Sequence, residues 1–333
     1  MSKEITILTD PVVCVHSNIK HSLKRLYLLA KECIRITGKN KYRGHFAVTR
    51  SLVNGFELNN VNYNYNPVSL SGLGRIVIVL SGVDTLTQSI ELKRRGYIDK
   101  IFAGPNIVEF SSDAENILTS NEIDLVLTPS IWVSKLYCQD HKVLKNRCYS
   151  WPAGVDFEYW NPKKCISNKK SEKKILVYCK SKSDKLLKLI DSVNEFIQEE
   201  GFTTRLLEYG SYSHTEFRNE LCNASLLIGF TNGSESQGIA WAESWSMDVP
   251  TLIYENNIQN YRGREFECST APYLTNDSGS FFIDYDDFKR KFIEWKKGEK
   301  VYKARSWVEK NMTDAVCSLK LYRRIKSEFT KYD

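Results

Sequence analysis

Short, mainly apolar runs alternate along this chain with longer stretches in which apolar residues recur every three or four positions. Runs of the first kind lie at Glu4 to Thr9, Ile76 to Leu80, Ile101 to Ala103, Leu125 to Leu127, Ile175 to Tyr178, Thr204 to Leu207, Leu226 to Phe230 and Thr251 to Tyr254. All read as strands, several of them with the continuous apolar character of a strand covered on both faces, and Ile-Val-Ile-Val-Leu before Ser81-Gly82 is the strongest of them. Phe46 to Thr49 is a further strand candidate. Helical spacing appears from Ser17 or Asn18 to about Ile36, from near Trp132 behind Ser130, and over Leu186 to Ile197. It returns over Ser213 to Asn223, from about Gln237 with Ser236 as cap, over Phe288 to Lys296, and over Asp314 to Thr330. The stretches Asn59 to Ser71 and Asn256 to Ser278 read as polar connections. Strands alternating with helices imply an α/β chain with parallel sheets.

Ligands of open α/β sheets gather beyond the carboxyl ends of the strands. In the first half, polar residues stand at those ends: Asp10 after the first strand with His16 beyond it, Ser81, Gly82 and Asp84 after the run Ile76 to Leu80, and Asn106 after Gly104-Pro105. They are candidates for the acceptor side of a cleft wall, and Asp10, His16 and Asp84 are the groups there that could act as a base. Tight-turn chemistry accounts equally well for Ser81, Gly82 and Asp84.

Composition narrows the class. At 333 residues, with 42% apolar content and no low-complexity tract, the chain has room for two cores. No apolar leader or membrane-length segment is present, so a cytoplasmic protein is expected. Nine cysteines without a C-x-x-C pair read as reduced, mostly buried thiols rather than a disulfide framework, and neither they nor the five histidines have metal-ligand spacing. The net charge of +7 is clustered, at Lys39 to Arg43, Lys93 to Arg95, Lys163 to Lys174, Lys289 to Lys300 and Arg323 to Lys331. Such surface suits a polyanion, either an anionic membrane face carrying a lipid-linked acceptor or a nucleic acid, and equally suits solvent alone.

The densest chemistry lies in residues 226 to 255, a strand, a Gly/Ser loop, a helix and a second strand. Glu235 and Glu243 are separated by seven residues, with Ser236, Gln237 and Gly238 at the helix start. A glycine there admits a ligand to backbone N–H groups whose dipole favours a phosphate, and a carboxylate further along the helix can accept two ribose hydroxyls. Two acidic residues near a helix N-terminus also need no ligand to explain them. Asp284-Tyr285-Asp286 contains Asp-x-Asp, but it immediately precedes a helix that acidic residues cap, and no metal is expected there.

The segment Glu235-Ser-Gln-Gly-Ile-Ala-Trp-Ala-Glu243, followed by Ser-Trp-Ser-Met-Asp-Val-Pro250, resembles the Glu-x7-Glu signature of the family 4 glycosyltransferases. Cys148 to Asn161 resembles the Pro-x-Gly-Val-Asp segment with which their first domain ends. Lys180 and Lys185 match, by charge and spacing, the cations of the family's Gly-Arg-x4-Lys loop, although Cys179 replaces the glycine and Lys180 the arginine. The resemblance implies a GT-B fold of two Rossmann-like domains with parallel sheets facing across an interdomain cleft. It assigns residues 1–160 to an acceptor domain, 161–174 to a linker, 175–312 to a donor domain, and 313–333 to a helix returning to the first domain. It further implies transfer of a sugar from a nucleotide-diphosphate sugar to a hydroxyl of a glycan or lipid-linked acceptor, with retention and without a cofactor. Glu243 would hold the ribose, Tyr209 and Gly210 would meet the nucleobase, Glu235 would lie by the sugar ring, and Lys180 and Lys185 would take the leaving diphosphate. Two other readings stand beside it: a nucleotide-binding scaffold without transfer activity, and a transferase that modifies DNA.

Overall fold

The computed structural model describes residues 4–12, 44–165, 174–180, 183–231 and 233–328. Their backbone divides into two units, Met1–Gly154 with Cys317–Asp333, and Val155–Val316.

The first unit is built on six parallel strands in the order β2-β1-β3-β4-β5-β6. These are β1 Ile5–Leu8, β2 Tyr63–Tyr65, β3 Ile76–Ser81, β4 Lys100–Asn106, β5 Leu125–Thr128 and β6 Cys148–Ser150. From Ile76 to Leu80 every side chain of β3 is fully buried, as a continuous apolar run in a doubly covered sheet requires. Alternate residues feed opposite faces: Val77 and Val79 join one core with Leu86 and Val133, while Ile76, Ile78 and Leu80 join another with Leu52 and Phe56. Leu321 and Ile325 of the helix Asp314–Ser327 belong to that second core, and Trp151 donates its indole N–H to the Cys317 carbonyl at 3.0 Å.

Several sequence expectations change here. Phe46 to Thr49 is not a strand but part of the helix Gly44–Leu58, whose buried Ala47, Val48, Ser51, Leu52, Gly55 and Phe56 follow a helical period. The four-residue apolar run was too short to reveal that period. Within the polar stretch Asn59 to Ser71, Tyr63 to Tyr65 pair in parallel with Ile5 to Ile7 as an edge strand. The run from Ile101 to Ala103 extends further than its apolar residues, through the cis Gly104–Pro105 bond to Asn106. Gly104 is required there, because it has φ +124° and a Cβ would lie 2.0 Å from the Leu127 carbonyl oxygen. The helix expected between residues 17 and 36 lies outside the described residues, as does His16.

The second unit has five parallel strands in the order β13-β10-β9-β7-β8, a second Rossmann-like half. They are β7 Lys174–Cys179, β8 Thr203–Glu208, β9 Leu226–Phe230, β10 Thr251–Tyr254 and β13 Gly279–Phe282. The helices Asp184–Glu199 and Tyr285–Lys296 cover one face, where Leu186, Ile190, Val193, Phe288 and Phe292 share a core with Ile175, Val177, Phe230 and Phe282. The stretch expected to be irregular after Asn256 contains an antiparallel hairpin, β11 Ile258–Tyr261 with β12 Arg264–Glu267. The expectation of uniformly reduced thiols is also corrected. Cys165 and Cys222, 57 positions apart, form a disulfide with their Cα atoms 5.7 Å apart. Sequence spacing carries no sign of a pair that only the fold brings together.

Among the described residues no helix is long and apolar enough to cross a membrane. Much of the described basic surface is neutralised internally. Lys93 pairs with Asp124 and Arg94 with Glu122, while Lys289, Arg290 and Lys296 pair with Asp286, Asp287 and Glu200.

Candidate functional site

The topological switch of the second sheet lies between β7 and β9, where the connections leave in different directions. Their carboxyl ends are tied together by the Lys180 N–H, which donates to the Phe230 carbonyl at 2.9 Å. Past that bond the Lys180 ammonium meets Glu235 Oε1 at 2.5 Å and stands 4.9 Å from the centre of the Tyr209 ring. Tyr209 follows β8 and is held by its N–H to the Cys179 carbonyl at 2.8 Å, with its ring half exposed. Three strand ends thus bring Lys180, Tyr209 and Glu235 to one place. The Glu235 carboxylate is only 12% exposed, so its charge is felt more strongly than that of a free surface glutamate.

Glu243 reaches the same region from the helix Ile239–Ser246 and is almost wholly buried. Tyr178, the penultimate residue of β7, reports on both carboxylates. Burial holds its phenol well above the ordinary range, its hydrogen-bonded neighbour Tyr212 adds to this, and the charges of Glu235 and Glu243 add further. Its ring also stands edge-on to Trp241 at 5.1 Å. Sequence inspection passed over Tyr178 as strand core; its position one residue before Cys179-Lys180 was the available signal.

The helix start differs from expectation. It begins at Ile239, not Gln237, and its N-cap is Gly238 in the left-handed region at φ 69°, ψ 48°. Ser236 is therefore exposed in the loop instead of capping, and Gln237 is buried. Gly238 has a reason within the protein: a Cβ would lie 2.4 Å from Trp241 Cδ1. Trp241 itself sits over Gly229, where a Cβ would come within 2.6 Å of the indole, and its N–H donates to the Thr270 carbonyl at 2.8 Å. The indole so fixes the loop that carries Glu235.

A second support comes from residues 255 to 270. Buried Glu255 accepts from the Ser269 hydroxyl at 2.9 Å, the Thr270 N–H at 3.2 Å and the Asn257 N–H at 3.1 Å. The segment so held offers the Ser269 carbonyl to the Glu235 N–H at 2.8 Å. The Cys268 thiol donates to the Gly233 carbonyl, and burial, reinforced by the Glu255 charge, raises that thiol to about 12. Glu255 positions Glu235 through this segment, a role that needs the tertiary fold to be seen.

The remaining donor-side candidates are placed as follows. Lys185 falls in the first turn of the helix Asp184–Glu199. Gly210 turns the chain after Tyr209 at φ +92°, with open space where a Cβ would stand. Asp284 caps the helix Tyr285–Lys296 by accepting from the Asp287 N–H at 2.8 Å, and Asp286 pairs with Lys289 at 2.7 Å. Both carboxylates of the Asp-x-Asp sequence thus have structural work at the helix start.

In the first unit, the candidates gather at the carboxyl edge of its sheet. The Ser81 hydroxyl donates to the Thr9 carbonyl at 3.3 Å, and Ser81 stands in register with Asn106. Asp10 follows Thr9, whose N–H and hydroxyl are held by the Asn66 amide at 2.9 Å each. Gly82 is the N-cap of the helix Val83–Arg94 at φ +90°, and Asp84 is exposed in its first turn. Asp10, Ser81, Gly82 and Asn106 are brought together by this edge, while Asp84 faces solvent from the first turn of the helix. Ser130 occupies the N-cap position of the helix Ile131–Asp140, but its buried hydroxyl makes no capping bond.

No family model and no curated protein matches the sequence. Solved structures do match the fold over nearly the whole chain. A glycosyltransferase from Rickettsia africae ESF-5 aligns with a TM-score of 0.61 at 12% identity, covering 100% of both chains. The lipopolysaccharide outer core galactosyltransferase WaaB in its apo form aligns at 0.60 and 12% identity over 97% of this chain and 99% of that one. Anabaena Alr3699/HepE in complex with UDP aligns at 0.56 and 8% identity over 97% and 100%. With two Rossmann-like halves of parallel sheet and these structural neighbours, the chain has the fold of the GT-B glycosyltransferases.

Proposed function

We propose that this protein is a glycosyltransferase that moves a sugar from a nucleotide-diphosphate sugar to a hydroxyl acceptor. The observation that carries the reading is the convergence of Lys180, Tyr209 and Glu235 at the switch point of the second sheet, with Glu243 buried beside them. Transfer breaks the bond between the anomeric carbon and the diphosphate oxygen and forms one to the acceptor oxygen, whose proton is released. Negative charge grows on the leaving diphosphate, and positive charge on the anomeric carbon. A pre-placed ammonium at Lys180, joined by Lys185, meets the first without a resident metal or cofactor. The Glu235 carboxylate beside the sugar ring meets the second, and Glu243 accepts the ribose hydroxyls. HepE is described in complex with UDP and with UDP-glucose, which makes uracil the first base to test. The Tyr209 ring offers a stacking face for that base. Retention and a glycan or lipid-linked acceptor follow the family resemblance. A polyanionic partner draws less support, because much of the described basic surface is already ion-paired.

A panel of UDP-sugars and GDP-sugars, read by release of the nucleoside diphosphate, tests the proposal. Turnover of at least one donor, unaffected by a chelator and abolished in Lys180→Ala, is expected. Binding of a nucleotide sugar without any consumption would replace the transferase by a scaffold.

A further inference from the structure

The two facing charges of the second unit are held in unequal ways. Glu235 is fixed through its N–H, bound to the Ser269 carbonyl at 2.8 Å, and its side chain is only 12% exposed. Lys180 is fixed through its own N–H to the Phe230 carbonyl at 2.9 Å, but its side chain is 34% exposed. The ammonium ends a flexible four-carbon stem, with the Glu235 carboxylate at 2.5 Å and the centre of the Tyr209 ring at 4.9 Å. Rotation about its own bonds lets the lysine turn outward. The glutamate has far less solvent to turn into.

That inequality matters to any ligand that needs the ammonium. A diphosphate at Lys180 puts phosphate oxygens where the carboxylate was, and Glu235 loses that cation in surroundings that screen charge weakly. A second carboxylate, on the 4% exposed Glu243, lies close enough for both to act on the Tyr178 phenol. A displaced Glu235 therefore faces like charge from Glu243 and from the diphosphate together. Hydroxyl donors offset this, because an ionised carboxylate accepts hydrogen bonds and donates none. A sugar on the diphosphate brings such donors. A bare nucleoside diphosphate brings none at that end and carries more negative charge.

We infer that Glu235 is an internal competitor for Lys180 and thereby a specificity-determining residue, which favours an intact nucleotide sugar over the nucleoside diphosphate left after transfer. This role rests on the proposed donor site and gives it a direction. Binding of the donor exchanges the ion pair for two contacts, diphosphate on Lys180 and sugar hydroxyls on Glu235. Departure of the sugar lets Glu235 reclaim the ammonium, which expels the product.

The test titrates the full chain with UDP, GDP, UDP-glucose, UDP-galactose, UDP-N-acetylglucosamine and GDP-mannose, observed by ligand NMR up to millimolar concentration. Glu235→Gln keeps the size of the side chain and removes its charge. It should bind the nucleoside diphosphate at least about threefold more tightly than the parent. Glu235→Ala, also uncharged, should show the same gain, which guards against a fold effect of one substitution. The preference of the parent for its best nucleotide sugar over the matching nucleoside diphosphate should shrink by a similar factor. Simple repulsion of phosphate by Glu235 would also tighten binding, so Glu235→Gln is repeated in Lys180→Ala. There the gain should be no more than about half as large, or should vanish along with binding, since the lysine is what Glu235 withholds. Unchanged or weaker nucleoside diphosphate binding in both Glu235 variants, no preference for sugar in the parent or one that survives the substitution, or an equal gain in Lys180→Ala would each overturn the inference and leave a nucleotide site standing. No binding of any of these ligands by the parent or by Glu235→Gln would overturn it together with the proposed function.

Discussion

The carboxyl edges of the two sheets are built from different chemistry. At the first, Thr9, Asn66, Ser81 and Asn106 form a neutral set of hydroxyls and amides, stitched by bonds such as Thr9 N–H to Asn66 Oδ1 at 2.9 Å, with Asp10 alongside. At the second, a lysine and a glutamate meet at 2.5 Å, and another glutamate lies buried nearby. Neutral short side chains hold a backbone in place and tolerate many ligands. Opposed charges in partly excluded surroundings keep a strong local field, and such a field is what a reaction that separates charge requires. The same sheet topology therefore supports a frame in one half and a polarised pocket in the other.

Substitutions that remove charge from one edge at a time test this contrast most severely. Glu235→Gln should lower turnover by about a hundredfold or more while leaving the melting temperature near that of the parent. Asp10→Asn at the first edge should cost under about tenfold, and comparable losses in a steady-state assay of both variants would erase the asymmetry. The next effect in size concerns support rather than contact. Glu255→Gln turns an acceptor of three hydrogen bonds into a group that presents an N–H to the Thr270 N–H, at a cost of about 1–3 kcal/mol. Because Ser269 holds Glu235, a rise in donor KM beyond any change in kcat is expected, and an unaltered KM would show that the segment does not position the site.

Glycines sharpen the comparison within the second edge. Gly238→Ala meets both positive φ and Trp241, and should destabilise by about 1–3 kcal/mol in denaturant unfolding. Gly210→Ala meets positive φ with open space and should cost no more than about 1–2 kcal/mol. Equal costs would mean that the indole yields to the new methyl group. The smallest effect lies far from either edge. Arg94, and then the Ser120 hydroxyl, lower the Glu122 carboxyl to about 2 from an ordinary 4.5. A depressed folded value stabilises the fold above the unfolded value, and the benefit declines as pH falls from about 4.5 toward 2. Glu122→Gln should therefore melt about 1–2 °C below the parent at neutral pH, a gap that narrows under acid.

Strand identities were legible because buried parallel strands need unbroken apolar runs, and β3, β7, β9 and β10 have them. Phe46 to Thr49 misled for the same reason: four apolar or β-branched residues fit a strand, and only the later Leu52 and Phe56 disclose the helix. At the candidate site, Lys180, Glu235 and Glu243 stood out as charges at the ends of apolar runs. Tyr178, Trp241 and Glu255 did not, since their roles depend mainly on neighbours about a dozen or more positions away. A spacing motif names groups that meet ligands; it is silent on groups that hold those groups still. The helix start shows the same limit, where Ser236 had the right chemistry for a cap but Gly238 and the indole set the geometry.

The helix Asp314–Ser327 places Leu321 and Ile325 in the core of the first unit, against Ile5, Leu52 and Phe56. A ribosome delivers those partners more than 250 residues apart, at roughly 5–20 residues each second. The opening half must therefore wait with an uncovered apolar face while the whole second half is synthesised, and that half is free to fold first. Completion of the molecule runs in reverse of its order of manufacture, and the interval of exposure is when a chaperone would have most to hold.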